Sequence, residues 1–164
     1  MSDDAELLAA VHALLGELLD GAPEGGAYIL NPGDRGLLRS LDGLSASAAS
    51  VVPAGGTSSI AAHVDHLRYG LSLLNRWFDG DPNPFKDADY GASWDRTVVT
   101  ETEWMSRRSD LAREARKWVE ALMHPKPLNS IERRGVVSSV AHLAYHIGAI
   151  RQIDRTIAGP RAKD

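Results

Sequence analysis

Residues 60–78 read Ile-Ala-Ala-His-Val-Asp-His-Leu-Arg-Tyr-Gly-Leu-Ser-Leu-Leu-Asn-Arg-Trp-Phe, and they decide the fold. Ile60, Val64, Leu67, Leu71, Leu74 and Phe78 recur at intervals of 4-3-4-3-4 without a break. That is the spacing of one apolar stripe along an α-helix, because 3.6 residues per turn bring such positions to one face. Thr57 or Ser58 is the expected N-cap. The run Asp79-Gly80-Asp81-Pro82-Asn83-Pro84 ends the helix and opens a polar loop that carries Tyr90 and Trp94.

The same periodicity extends in both directions. Upstream, Leu7, Val11, Leu14 and Leu18 form a stripe on a helix predicted from about Asp3 to Leu19, with Asp3 and Glu6 as a capping box and Gly21 with Pro23 as its end. Downstream, a third helix is expected from Thr100, where Glu103 completes a capping box. Trp104, Leu111, Trp118 and Leu122 are its stripe, and His124-Pro125-Lys126-Pro127 closes it. A fourth begins between Ser130 and Val136 and runs to Gly159-Pro160. Val136, Val140, Leu143 and Ile147 mark one of its faces, and Ile150, Ile153 and Ile157 another, so burial on two sides is expected. From Gly21 to Gly56 the chain is too long to be structureless, and Arg35–Leu41 and Ser45–Val51 are candidates for short helices. No sustained period-two alternation signals a strand. The expected fold is all-α: one domain over 1–164, a left-handed four-helix bundle with a long crossover between its first and second helices.

Composition narrows the function classes. The chain has 164 residues, 43% hydrophobic and 24% charged, with a formal net charge of −4. Such a balance suits a globular protein and speaks against nucleic acid as a partner, since binders of nucleic acid usually carry a basic excess. No cysteine is present, which removes disulfides, thiolate metal sites and a cysteine nucleophile. The acidic start Met-Ser-Asp-Asp-Ala-Glu is unlike a signal peptide, and the uncharged run Gly135–Ile150 is too short to span a membrane. A cytoplasmic location and no membrane partner are expected.

With six histidines and no cysteine, imidazole is the main candidate for metal or proton chemistry. His142 and His146 stand four residues apart, one turn along one face, and continue the line of Ile150, Ile153 and Ile157 into the bundle. Two buried neutral imidazoles one turn apart suit a divalent metal. Two core histidines bonded to other side chains would read the same way. On the 60–78 helix, His63 falls about 60° from the centre of the apolar stripe and His66 about 120° away, near the solvent boundary. His63 is therefore the expected third ligand, and His66 a rim residue. His12 reads as a flank residue and His124 as part of a helix C-terminus. The four tryptophans read as packing the core and its ends. Tyr145 is expected to face a neighbouring helix. Arg151 could meet an anionic substrate or pair with Asp154 or Glu132. The residue after His142 is Leu143, which excludes an HExxH protease.

Ser59-Ile-Ala-Ala-His63-Val-Asp-His, with Val140-Ala-His142-Leu-Ala-Tyr-His146-Ile-Gly148, resembles the DinB/YfiT-like family. The resemblance covers nearly the whole chain. It implies a four-helix bundle in which one histidine from the second helix and an HxxxH pair from the fourth bind a divalent metal; the matching positions are His63, His142 and His146. Two departures from the family pattern, Gly55-Gly56-Thr57 and Ile147-Gly-Ala-Ile150, leave that triad intact but bear on the pocket around it. The implied function is a metal-dependent enzyme, a thiol S-transferase or hydrolase acting on a small molecule such as a low-molecular-weight thiol. The alternative is a non-catalytic, stress-associated bundle that holds metal or a small ligand. Zinc or nickel lead the candidate metals, with iron and manganese behind them. The two apolar sides of the fourth helix make a homodimer a further expectation.

Overall fold

A computed structural model describes residues 2–162. Ser59 caps the deciding helix, one or two residues later than expected: its hydroxyl accepts from the Ala62 amide at 3.3 Å and donates to the Thr97 carbonyl at 2.6 Å. The cap thereby also ties the helix to the distant end of the following loop. Among the described residues the α-helices are α1 (Asp3–Asp20), α2 (Gly36–Asp42), α3 (Ala46–Ala49), α4 (Ile60–Phe78), α5 (Glu101–Ala121) and α6 (Ser130–Ile153). Short 3-10 turns follow at Ala92–Trp94 and Arg155–Ile157, and no strand occurs among the described residues. The fold is all-helical.

Four of these helices are long. α4 lies against α5 and α6, and α1 against α6, α2 and α5. α4 and α6 run antiparallel, since Gly70 faces His142 while Gly135 sits under the Trp77 ring. A Cβ on Gly135 would stand 2.5 Å from that ring, so the crossing depends on glycine there. Leucines from α1 and α2, the stripe of α4, Trp104, Leu111 and Trp118 of α5, and Val136, Leu143 and Ile150 of α6 join in one continuous core. Both core tryptophans have indole partners, Trp104 at the Leu44 carbonyl (2.8 Å) and Trp118 at the Ser139 hydroxyl (3.1 Å).

Three local expectations are corrected. α1 is capped by Ser2, whose hydroxyl accepts from the Ala5 amide, rather than by an Asp3–Glu6 box. Its buried residues are Leu8, Val11, Leu15, Glu17, Leu18 and Leu19, so Leu8 and Leu15 take the places expected of Leu7 and Leu14. α6 ends at Ile153 and not at Gly159: Asp154 turns extended (φ −129°, ψ 108°) and its carboxylate caps the next turn at Thr156.

The segment between α1 and α4 is held by carboxylates. Glu17 is buried and accepts the amides of Tyr28, Ile29 and Leu30 at 3.0, 2.7 and 2.6 Å. Burial alone would raise its pKa, but three amide donors favour the charged form and the net shift is downward. Asp34 accepts the Gly36 amide and a two-pronged contact from Arg151 at 2.9 and 2.7 Å. Arg151 is thus a clasp between this segment and the end of α6, and its partner is neither Asp154 nor Glu132. Gly21 and Gly36, both at positive φ, let the chain pass within contact of itself beside this clasp.

Candidate metal centre

Four histidines meet where the first turns of α4 face the second half of α6. His66 Nε2 stands 3.2 Å from His142 Nε2, and His142 Nε2 stands 3.0 Å from His146 Nε2. These three imidazoles present one nitrogen each within 4.8 Å of one another. His63 does not join them. Its Nδ1 lies 2.8 Å from Nδ1 of His146, on the far side of that ring. The structure therefore puts His66 where the spacing argument put His63.

The physical reason lies in the loop after α4. His66 is only 8% exposed, although the apolar stripe of α4 is centred well away from it. Trp94, in the turn Ala92–Trp94, stacks on the His66 ring at 4.3 Å and meets His63 edge-on at 5.1 Å. Tyr90 approaches from the same side at 6.1 Å. The loop is fastened by the Asp89 amide to the Tyr69 hydroxyl (3.0 Å) and by the buried Arg107 to the Arg96 carbonyl (3.1 Å). A helix covered on both flanks has no solvent boundary where its apolar stripe stops. Trp94 thus roofs the histidine cluster instead of filling the core, and the only sequence signal for it is a tryptophan in an otherwise polar loop. Tyr145 points out, 70% exposed, against the expectation of a helix contact.

Hydrogen bonding fixes the tautomer of His66. Ser93 Oγ donates its proton to the Tyr90 carbonyl at 2.6 Å, so it can only accept from His66 Nδ1 at 2.9 Å. His66 therefore carries its proton on Nδ1 and aims the Nε2 lone pair at His142 and His146. The His63–His146 contact occupies Nδ1 of His146 and leaves its Nε2 facing the cluster. Burial lowers the pKa of all four rings. His66, also pushed by His142 and His63, falls to about 4, and His146, also pushed by its three neighbours, to about 3. At neutral pH all four rings are thus uncharged.

A divalent ion fits this donor set. Two nitrogens about 2.0–2.1 Å from a tetrahedral ion stand roughly 3.3 Å apart, close to the spacings seen. His142 is the least buried of the three and opens onto a cavity of about 630 Å³ between α4 and α6. The cavity runs along these helices toward Trp77 and Ile131.

An all-helical protein with three converging imidazoles beside an open groove is the class that fold and site define. The chain matches the family model of the DinB superfamily over residues 34–150, and it belongs to that superfamily. No curated protein and no solved structure matches it. The match begins at the Asp34 clasp and ends at Ile150, so it includes all four clustered histidines. No described helix is long and apolar enough to cross a membrane.

Proposed function

We propose that His66, His142 and His146 hold one divalent transition-metal ion, zinc or nickel first among the candidates, and that the protein is a metal-dependent enzyme acting on a small molecule. The observation that carries this reading is the convergence of three Nε2 atoms, at least one of them locked as a lone pair by the Ser93–Tyr90 relay. His63 is then a positioning residue, holding the His146 ring by its second nitrogen as outer partners of metal-bound histidines commonly do.

When bound, such an ion supplies Lewis acidity, which lowers the pKa of a thiol or water that reaches it. The chain's own residues do the rest. Trp94 and Tyr90 exclude water from the buried side of the cluster, and the groove beside His142 admits substrate from the other. The chain has no cysteine, so a thiol-transfer reaction draws its sulfur from a cosubstrate. Thiol transfer to an electrophile and hydrolysis both suit this arrangement.

The wider reading is one cytoplasmic domain over 1–164, built as a four-helix bundle of α1, α4, α5 and α6 with α2 and α3 in its crossover, acting on small molecules and not on nucleic acid. Val137, Ala141 and Tyr145 form an exposed stripe on α6 that supports a homodimer through that face. The test of function is metal content of untagged protein by mass spectrometry, followed by conjugation of a low-molecular-weight thiol to a chloronitrobenzene. About one ion per chain, and conjugation lost with a chelator, is the expected result. Bound metal without turnover of thiol or ester substrates would favour the non-catalytic alternative, and absence of binding to any of the four candidate metals would sink both.

A further inference from the structure

The groove that starts at His142 has a distinct second end. Its walls are Leu67, Leu71, Leu74 and Trp77 of α4, faced by Leu143 of α6 and closed by Phe85 of the loop. Of all the residues lining it, Arg134 alone carries a full charge; no carboxylate does. Arg134 is also unlike its neighbour Arg133, whose guanidinium is paired with Asp4 at 2.7 Å. Arg134 uses Nε on the Ser130 carbonyl at 3.1 Å, and its two terminal nitrogens bond to no described residue. An arginine fork facing an apolar channel is matched by a carboxylate, whose two oxygens fit it side by side. Arg134 and His142 are eight residues apart on one helix, which sets the two ends of the channel about 12 Å apart at 1.5 Å per residue.

We propose that the α4–α6 groove binds a linear amphipathic monocarboxylate, with its carboxylate on Arg134, its apolar chain along Leu67, Leu71, Leu74 and Trp77, and its far end at the histidine cluster. A chain of about eight carbons spans the distance. Only the last element, delivery of the far end to a metal, rests on the function proposed above. The groove and its carboxylate anchor stand on the lining residues alone. The substrate class follows: aliphatic or arylalkyl acids whose reacting thiol, ester or electrophilic carbon lies at the end remote from the carboxylate.

The experiment separates the two parts. Octanoate and 1-octanol are titrated calorimetrically into chelator-treated full-length protein, where no metal competes for the carboxylate. Octanoate is expected to bind about tenfold more tightly than the alcohol, the worth of one charge-assisted contact. Arg134→Gln should erase that preference while leaving octanol binding unchanged. Ser138→Trp, a change at an exposed groove position, should block both ligands. Equal binding of acid and alcohol, or a preference that survives Arg134→Gln, overturns the proposal whatever the metal does. In cobalt-loaded protein, 8-mercaptooctanoate should alter the cobalt absorption at lower concentration than 2-mercaptoethanol. No cobalt uptake with the octanoate preference intact would refute the metal reading and leave the groove standing. Cobalt uptake with a spectrum indifferent to the long thiol would overturn the delivery step.

Discussion

Two regions of this molecule bury polar side chains, and they do so with opposite bookkeeping. Around the segment between α1 and α4, the two buried carboxylates are answered by the chain: Glu17 meets three amides, and Asp34 meets one amide and a two-pronged arginine. Between α4 and α6, three imidazole nitrogens face one another, the lone pair of His66 Nε2 among them. A buried polar group left without a partner costs about 1–3 kcal/mol, and nitrogens that face one another escape that cost by sharing a proton or by binding a cation. The first region is a fastening, saturated by the chain itself. The second is a group of donors that could hold a metal ion.

The comparison breaks most sharply by removing a ligand. Alanine at His66, His142 or His146 should each lower cobalt or zinc affinity at least a hundredfold in a competitive chelator titration, while Glu17→Gln should leave it unchanged. Intact binding in His66→Ala, with loss only in His63→Ala, would restore His63 to the ligand set. Glu17→Gln tests the other region. It removes the charge that three amides solvate, and urea unfolding should show a loss of roughly 2–3 kcal/mol.

Acid should distinguish the regions next. The clustered histidines titrate below their ordinary 6.5, His66 at about 4. As pH falls, the unfolded chain takes up these protons before the folded one does. Stability of the metal-free protein is therefore whole above pH 6.5 and falls from there toward 4, by roughly 3 kcal/mol if His66 contributes fully. The loss should shrink when both His66 and His146 are replaced by glutamine, His63 and His142 supplying what is left; an unchanged loss would mean that other groups are responsible. A smaller effect is expected at His63, where alanine should weaken metal binding about 10–100-fold without abolishing it. Smallest of all, Tyr145→Ser should change stability by no more than about 0.5 kcal/mol, as befits an exposed residue. Its effect on sedimentation mass bears on the α6 face: a wild-type mass near 17.7 kDa at micromolar concentration would count against a dimer.

Much of the fold was legible because helices announce themselves locally. The stripe of α4, the Thr100–Glu103 box and Trp104–Leu111–Trp118 of α5 lie within one or two residues of their predicted places, since both periodicity and capping act over a few residues. Errors gather where a neighbour decides. Whether Leu7 or Leu8, and Leu14 or Leu15, is buried on α1 depends on the helices beside it, and Asp154 ends α6 by a capping bond that the run of isoleucines conceals.

The site divides along the same line. Sequence alone set His142 and His146 on one face of one helix, because a four-residue step is a fixed angle, and set two more imidazoles on α4. Which of those two enters the cluster was beyond it. An angle measured from the apolar stripe assumes that solvent begins where the stripe ends, and here the loop carrying Trp94 covers His66 from outside. That loop is brought back by contacts spanning 11 to 38 residues, Arg107 to Arg96, Asp89 to Tyr69 and Ser59 to Thr97. The sequence determined the helices and the supply of imidazole; the tertiary structure chose the third nitrogen, because only packing at long range says what lies on the outer side of a helix.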